Sequence, residues 1–309
     1  MLELYDEVKP YDSGYLKVSD IHEIYYEQCG NPDGIPIVYV HGGPGGGSGE
    51  LARRFFDKDK YRIIIFDQRG CGRSKPFVEL RENTTFDLVE DMEKLRKKLN
   101  VESWILFGGS WGTALSLVYA INYSKYVSGM ILRGIFLARQ EDVDWLYCGG
   151  AGYYFPQEFE KYISILNEKE KKDIIGSYMK YLGSNDMKVV SYYAKYWNDW
   201  ETSCVALYKR EIPKEVTDYD IAIARMECHY FYNKSFLPED NYILNNIDKI
   251  KDIRTMICHG RYDIDCRPSG AYELYKKMDN CELVFVDASG HSSLEPAIAS
   301  QLIEFTNKW

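Results

Sequence analysis

Short apolar runs alternate with stretches whose apolar positions recur every three or four residues. Ile35-Pro-Ile-Val-Tyr-Val40, Tyr61-Arg-Ile-Ile-Ile-Phe66, Trp104-Ile-Leu-Phe107 and Val127–Leu132 are β-favouring and mainly apolar, the pattern of strands buried on both faces. Leu88, Met92, Leu95 and Leu99 fall on one face of a helix over 85–99, with charges opposite. Gly14–Val18 and Ile21–Cys29 read as two strands joined at Ser19-Asp20, and Asn31-Pro-Asp-Gly34 as a turn. Ile253–His259 and Leu283–Val286 supply two more strands, and Leu294–Phe305 a closing helix. This alternation predicts a mostly parallel eight-stranded sheet with helices on both faces. Ligands then sit beyond the carboxyl ends of the strands. Between about 138 and 246 the buried runs vanish. Aromatic and charged residues interleave there at helical spacing, as in Tyr192-Tyr-Ala-Lys-Tyr-Trp-Asn-Asp-Trp-Glu201. The expected organisation is a discontinuous core, 1–137 and 247–309, with a helical cap, 138–246, inserted after the sixth strand.

Candidate chemistry clusters at those strand ends. Trp104–Phe107 runs into Gly108-Gly-Ser-Trp-Gly112, and Thr113–Tyr119 resumes at helical spacing. A Gly-x-Ser-x-Gly turn lifts the serine hydroxyl clear of the sheet. It also sets that oxygen at a helix N-terminus, where free N–H groups favour developing negative charge. An ordinary glycine-rich turn has the same composition, so the motif counts only with partners. His41-Gly-Gly-Pro-Gly-Gly-Gly47 follows the strand ending at Val40. The N–H of Gly43 and that of Trp111 are the two halves of an expected oxyanion hole. A phosphate loop is the rival reading, weakened by the lack of a G-K-[ST] sequence. Asp67-Gln-Arg-Gly-Cys-Gly-Arg-Ser74 lies at the same sheet end, where Asp67 and Arg69 are expected to tie two loops by a charge-assisted pair.

Later strands end in Gly260-Arg-Tyr-Asp-Ile-Asp265 and Asp287-Ala-Ser-Gly-His291. Serine, then aspartate, then histidine is the chain order of α/β-hydrolases. A hydroxyl is a poor nucleophile alone, so His291 takes the proton of Ser110 and an acid orients the imidazole. Asp263 is assigned that place, with Asp265 in reserve. Epoxide or haloalkane hydrolysis wants aspartate at the nucleophile position, where Ser110 stands.

Composition narrows the partners. A formal net charge of −9 argues against nucleic acid and mildly favours a cationic partner. The eight cysteines are scattered, with no C-x-x-C and no metal-like spacing. The first twenty residues hold no apolar signal core, and no apolar run reaches the ~18 residues of a membrane helix. A reduced, cytoplasmic protein without membrane attachment is the expectation; homo-oligomerisation is left open.

His41-Gly-Gly-Pro-Gly, Asp67-Gln-Arg-Gly-Cys-Gly-Arg-Ser, Gly-Gly-Ser-Trp-Gly-Thr-Ala-Leu, Leu132-Arg-Gly-Ile-Phe and Gly290-His-Ser together resemble the prolyl aminopeptidase (proline iminopeptidase) family, serine peptidases of the α/β-hydrolase fold. The likeness runs from about residue 14 to the C-terminus. It implies release of an N-terminal proline from small peptides, with no cofactor. Trp197-Asn-Asp-Trp-Glu201 and Ala224-Arg-Met-Glu-Cys-His-Tyr-Phe231 are similar to the family's cap segments whose glutamates hold the substrate amine, which implicates Glu201 and Glu227. A protonated N-terminal proline has two N–H donors, one for each carboxylate. The resemblance also leads to Phe136, Tyr147 and Phe231 as walls for the pyrrolidine ring. Two other classes remain. A general carboxylesterase with the same triad needs no paired carboxylates, and a non-catalytic binding protein of this fold should have lost a triad member. Ser48-Gly-Glu50 and Asp265 lie where family members vary, and residues 157–188 carry nothing assignable.

Overall fold

The computed structural model describes residues 1–208, 211–212 and 214–309. Eight strands form one sheet: β1 (Asp12–Lys17), β2 (Glu23–Gly30), β3 (Ile35–Val40), β4 (Tyr61–Phe66), β5 (Trp104–Gly109), β6 (Val127–Arg133), β7 (Thr255–Gly260) and β8 (Cys281–Val286). Their order is β1-β2-β4-β3-β5-β6-β7-β8. Only β2 runs against its neighbours; β3 through β8 pair in parallel.

The pleat sorts each apolar run to two faces, which is why the runs are continuous rather than alternating. Ile63, Ile65, Ile105, Phe107 and Ile131 pack on one side, with Ile298, Leu302 and Phe305. Ile64, Phe66, Leu106, Met130 and Leu132 pack on the other, with Leu88, Met92, Leu95, Leu115 and Val118.

The helices are α1 (Thr85–Lys98), α2 (Trp111–Tyr123), α3 (Gln140–Tyr147), α4 (Pro156–Ile163), α5 (Ile174–Leu182), α6 (Met187–Cys204), α7 (Asp218–Tyr232), α8 (Tyr242–Asn245), α9 (Pro268–Lys277) and α10 (Pro296–Lys308). Thr84 and Asp87 close a capping box that starts α1. The closing helix starts at Pro296 rather than Leu294, because proline suits the first helical position, where no N–H is required. Among the described residues, α3 to α8 fill the chain between β6 and β7 with no strand.

Helix α7 rests directly on the glycine loop after β3. A Cβ on Gly45, whose φ is +108°, would lie 2.5 Å from the carbonyl oxygen of Ala222. About two turns further along, α7 is tied to the loop before α1: Tyr230 donates to Asn83 Oδ1 at 2.7 Å, and His229 Nε2 meets the Asn83 carbonyl at 3.0 Å.

The expected Asp67–Arg69 pair does not form. Asp67 pairs with Arg73 at 2.7 Å and accepts the Ser48 N–H at 2.8 Å, joining the loops after β3 and β4. Arg69 turns the other way and binds Asp91 of α1 through two nitrogens, at 2.6 and 2.7 Å. Arginine's fork favours this bidentate geometry with a carboxylate held on a helix. Among the described residues, no helix is long and apolar enough to cross a membrane.

Candidate active site

Ser110 occupies the turn between β5 and α2 with φ 58° and ψ −129°, a strained backbone for a residue with a side chain. Its N–H is fixed by the Arg133 carbonyl at 2.9 Å. The turn is possible because Gly112 lies against β3: a Cβ there would come within 2.0 Å of the Val40 carbonyl oxygen. Trp111 is the first residue of α2, so its N–H has no acceptor within the helix. Gly43 and Ser110 line the same cavity.

A buried network holds the glycine loop. The Trp111 indole donates to Gln68 Oε1 at 3.0 Å, and Gln68 Nε2 donates to the His41 carbonyl at 2.8 Å. The Gln68 N–H meets His41 Nε2 at 2.9 Å, and His41 Nδ1 lies 2.9 Å from the Gly42 carbonyl. Burial lowers the pKa of His41. A neutral ring with its proton on Nδ1 satisfies both contacts.

His291 Nδ1 lies 2.8 Å from Asp263 Oδ2. The other oxygen of Asp263 accepts the Cys266 N–H at 2.8 Å. Burial pushes Asp263 up to about 6, opposed by His259, the Cys266 N–H and Arg133. Asp265 lies on the opposite edge of the imidazole, with Oδ2 3.5 Å from Nε2. The two aspartates therefore address different nitrogens. Arg133 Nη1 is 2.9 Å from His291 Nε2 and 2.9 Å from the His291 carbonyl. A guanidinium only donates, so Nε2 presents its lone pair and the ring proton sits on Nδ1, facing Asp263. Ser110, Arg133 and His291 line one open cleft, together with Gly43 and Glu201.

Beside Ser110 a pocket is lined by Phe136, Tyr147, Glu201, Glu227, Phe231 and Asp265, among others. Phe136 meets Phe231 edge to face with centroids 5.7 Å apart, and Tyr147 lies 5.4 Å from Phe231. Glu201 comes from the last turns of α6 and Glu227 from α7. Glu227 Oε2 accepts the Trp197 indole N–H at 2.7 Å and the Tyr147 hydroxyl at 3.1 Å. Glu201 and Glu227 are close enough to shift each other's proton affinity, and a proton on one of them relieves the like-charge repulsion. Burial pushes Glu227 up to about 7, partly countered by Glu201, Trp197 and Tyr147. Glu201 is raised well above the usual carboxylate range, first by burial and then by the charge of Glu227.

Eight of the ten expected site residues line these two cavities, which share Gly43, Ser110 and Glu201; Trp111 follows Ser110 in the chain, and Asp263 binds His291. Sequence reasoning did not single out Arg133, Gln68 or Trp197. Arg133 and Gln68 lie inside motifs noted for their overall likeness, whereas nothing in the local sequence marks Trp197 as a donor to Glu227.

Strand order, the serine turn after β5 and the imidazole after β8, held by an acid after the adjoining β7, make this an α/β-hydrolase. The alpha/beta hydrolase fold family model accordingly matches residues 35–297. A solved alpha/beta fold family hydrolase from Bacillus anthracis superposes with a TM-score of 0.63 at 18% identity, covering 97% of this chain and 99% of that one. Sequence relatives are more particular. A proline iminopeptidase of Arabidopsis thaliana is 45% identical over 309 residues, 99% of this chain and 81% of that protein. A probable proline iminopeptidase of Leptolyngbya boryana is 46% identical over 312 aligned residues, 100% of this chain and 97% of that protein. The chain belongs to the proline iminopeptidase family.

Proposed function

We propose that this chain is a serine exopeptidase that releases an N-terminal proline from peptides through an acyl-enzyme intermediate. The observation that carries the reading is the pair of carboxyl groups, Glu227 buried and Glu201 half-buried, in a pocket that Ser110 also lines. Family relatives named for this activity add their support.

In this reading Arg133 Nη1, which lies 2.9 Å from His291 Nε2 in the free enzyme, gives up that nitrogen, and Ser110 Oγ attacks the carbonyl carbon of the N-terminal residue as its proton passes to His291 Nε2. Asp263 orients the ring and balances the imidazolium. The N–H groups of Gly43 and Trp111 receive the oxyanion. Collapse breaks the amide bond, and His291 returns the proton to the leaving amine. Water then repeats the sequence on the prolyl ester and frees proline and Ser110.

Glu201 and Glu227 accept the two N–H bonds of the prolinium, while Phe136, Tyr147 and Phe231 wall its ring. Helices α3 to α8, over 138–246, act as a cap that carries these acids, with 1–137 and 247–309 as the core. Fixing the charged end at a set distance from Ser110 limits each turnover to one residue.

Proline anilide and its N-acetylated form, compared at equal concentration with wild type and Ser110→Ala, test the reading. The free amine should be cleaved, the acetylated form at least a hundredfold more slowly, and neither by Ser110→Ala. Equal cleavage of both substrates would point to a general acyl hydrolase.

A further inference from the structure

Asp265 is not needed by the reaction as described. It is 7% exposed, and what it exposes faces the same cavity as Glu201 and Glu227. The other acids nearby are committed. Both oxygens of Asp263 are taken by His291 and the Cys266 N–H. Asp142 is held by Arg139 at 3.0 Å and Arg267 at 2.8 Å. Among the described residues Asp265 has no hydrogen-bond donor, and its one ion-pair partner is His291 Nε2 at 3.5 Å. A buried carboxylate left without donors is costly unless a bound group supplies one.

The amine chemistry identifies that group. A secondary ammonium such as N-terminal proline has two N–H bonds, which two glutamates satisfy. A primary ammonium has three. We propose that Asp265 is a specificity-determining residue: it accepts the third N–H of a primary ammonium, so that the enzyme removes small N-terminal residues such as alanine as well as proline.

This rests on the reading of Glu201 and Glu227 as amine ligands. When proline is bound, its two N–H bonds go to the glutamates and Asp265 takes no part, so losing Asp265 should weaken primary amines while sparing proline. Burial pushes Asp265 up to about 7, opposed by His291 and reinforced by Glu201 and Asp263.

The experiment compares kcat/KM for alanine and proline anilides in wild type, Asp265→Asn and Asp265→Val, with the melting temperature of each variant. Wild type should cleave both, and either substitution should lower the alanine-to-proline ratio by about tenfold or more, the worth of one charge-assisted hydrogen bond. Should Asp265→Val fail to fold, the isosteric Asp265→Asn carries the same test. An unchanged ratio overturns the proposal, as does a wild type inactive on alanine anilide. A proportionate loss on both substrates would mean that Asp265 acts through the His291 ring.

Glu201→Gln reports separately on the underlying reading. It should lower both anilides relative to a neutral p-nitrophenyl ester without moving their ratio far. Equal losses on anilides and ester would remove the amine pocket itself.

Discussion

Glu227→Gln should make the protein more stable and a worse enzyme, and the two effects should separate with pH. Burial raises the Glu227 carboxyl from 4.5 to about 7 in the folded chain. The native state therefore binds that proton more tightly than the unfolded chain does. Stability falls as pH rises from about 4.5 to about 7, because ionisation is easier unfolded than folded. At 1.36 kcal/mol per pKa unit, the ionised glutamate costs about 3 kcal/mol once the pH exceeds 7. Glutamine removes the charge and keeps the shape. Its amide oxygen still accepts the Trp197 indole and the Tyr147 hydroxyl, now at 2.7 and 3.1 Å. At pH 8 the variant should gain about 3 kcal/mol, roughly 5 °C in melting temperature for a chain of this size. Near pH 4 the gain should vanish, since wild type is then protonated too. Prolyl anilide kcat/KM should meanwhile fall about ten- to hundredfold, the loss of one charge-assisted bond to the substrate amine. Thermal melts at both pH values beside anilide kinetics decide it. A variant that melts lower than wild type at pH 8, or that keeps full activity, would show that the carboxylate serves the fold rather than the substrate.

The same ionisation shapes the rate profile. Prolyl anilide kcat/KM should rise through pH 7 as Glu227 ionises, then fall above about 8 as the substrate amine deprotonates. A neutral ester should lack the falling limb, and a matching fall for the two substrates would contradict recognition of the charged amine. Gly112→Ala puts a Cβ 2.0 Å from the Val40 carbonyl oxygen, a clash with backbone that should cost more than about 3 kcal/mol; unchanged thermal unfolding would show that the serine turn yields more easily than this packing implies. Gly45→Ala pushes on Ala222 of α7 from 2.5 Å and should displace the helix that carries Glu227. It should reduce anilide turnover more than ester turnover, and an equal reduction would count against a role for α7 in holding the amine.

Much of the architecture was legible because each core strand is apolar on both faces, a pattern few other elements produce at that length. The serine turn was legible for a local reason too: packing at Gly112 admits no side chain, and that constraint is written in the motif. Pairings between side chains were not legible in the same way. Arg69 sits two residues from Asp67 in the chain but binds Asp91, because the partner was chosen by which helix the loop faces. Asp263 and Asp265 are also two residues apart, yet they reach opposite nitrogens of His291.

The cap shows the limit most clearly. A glutamate on a tyrosine-rich helix reads as a solvated charge, and only the family likeness argued otherwise for Glu201 and Glu227. What makes them a pair is the packing of α6 against α7, with Trp197 of one helix donating to Glu227 of the other. The position of α7 follows in turn from Gly45 beneath Ala222 and from Asn83, which binds Tyr230 and His229. The glycine run after β3 therefore does two things at once. Gly42 lies against Ser110, where a Cβ would come 3.2 Å from the serine Cβ, and Gly45 seats the acid-bearing helix. A single loop then sets the spacing between the hydroxyl and the amine grip, and in the proposed exopeptidase that spacing is what decides which bond is cut.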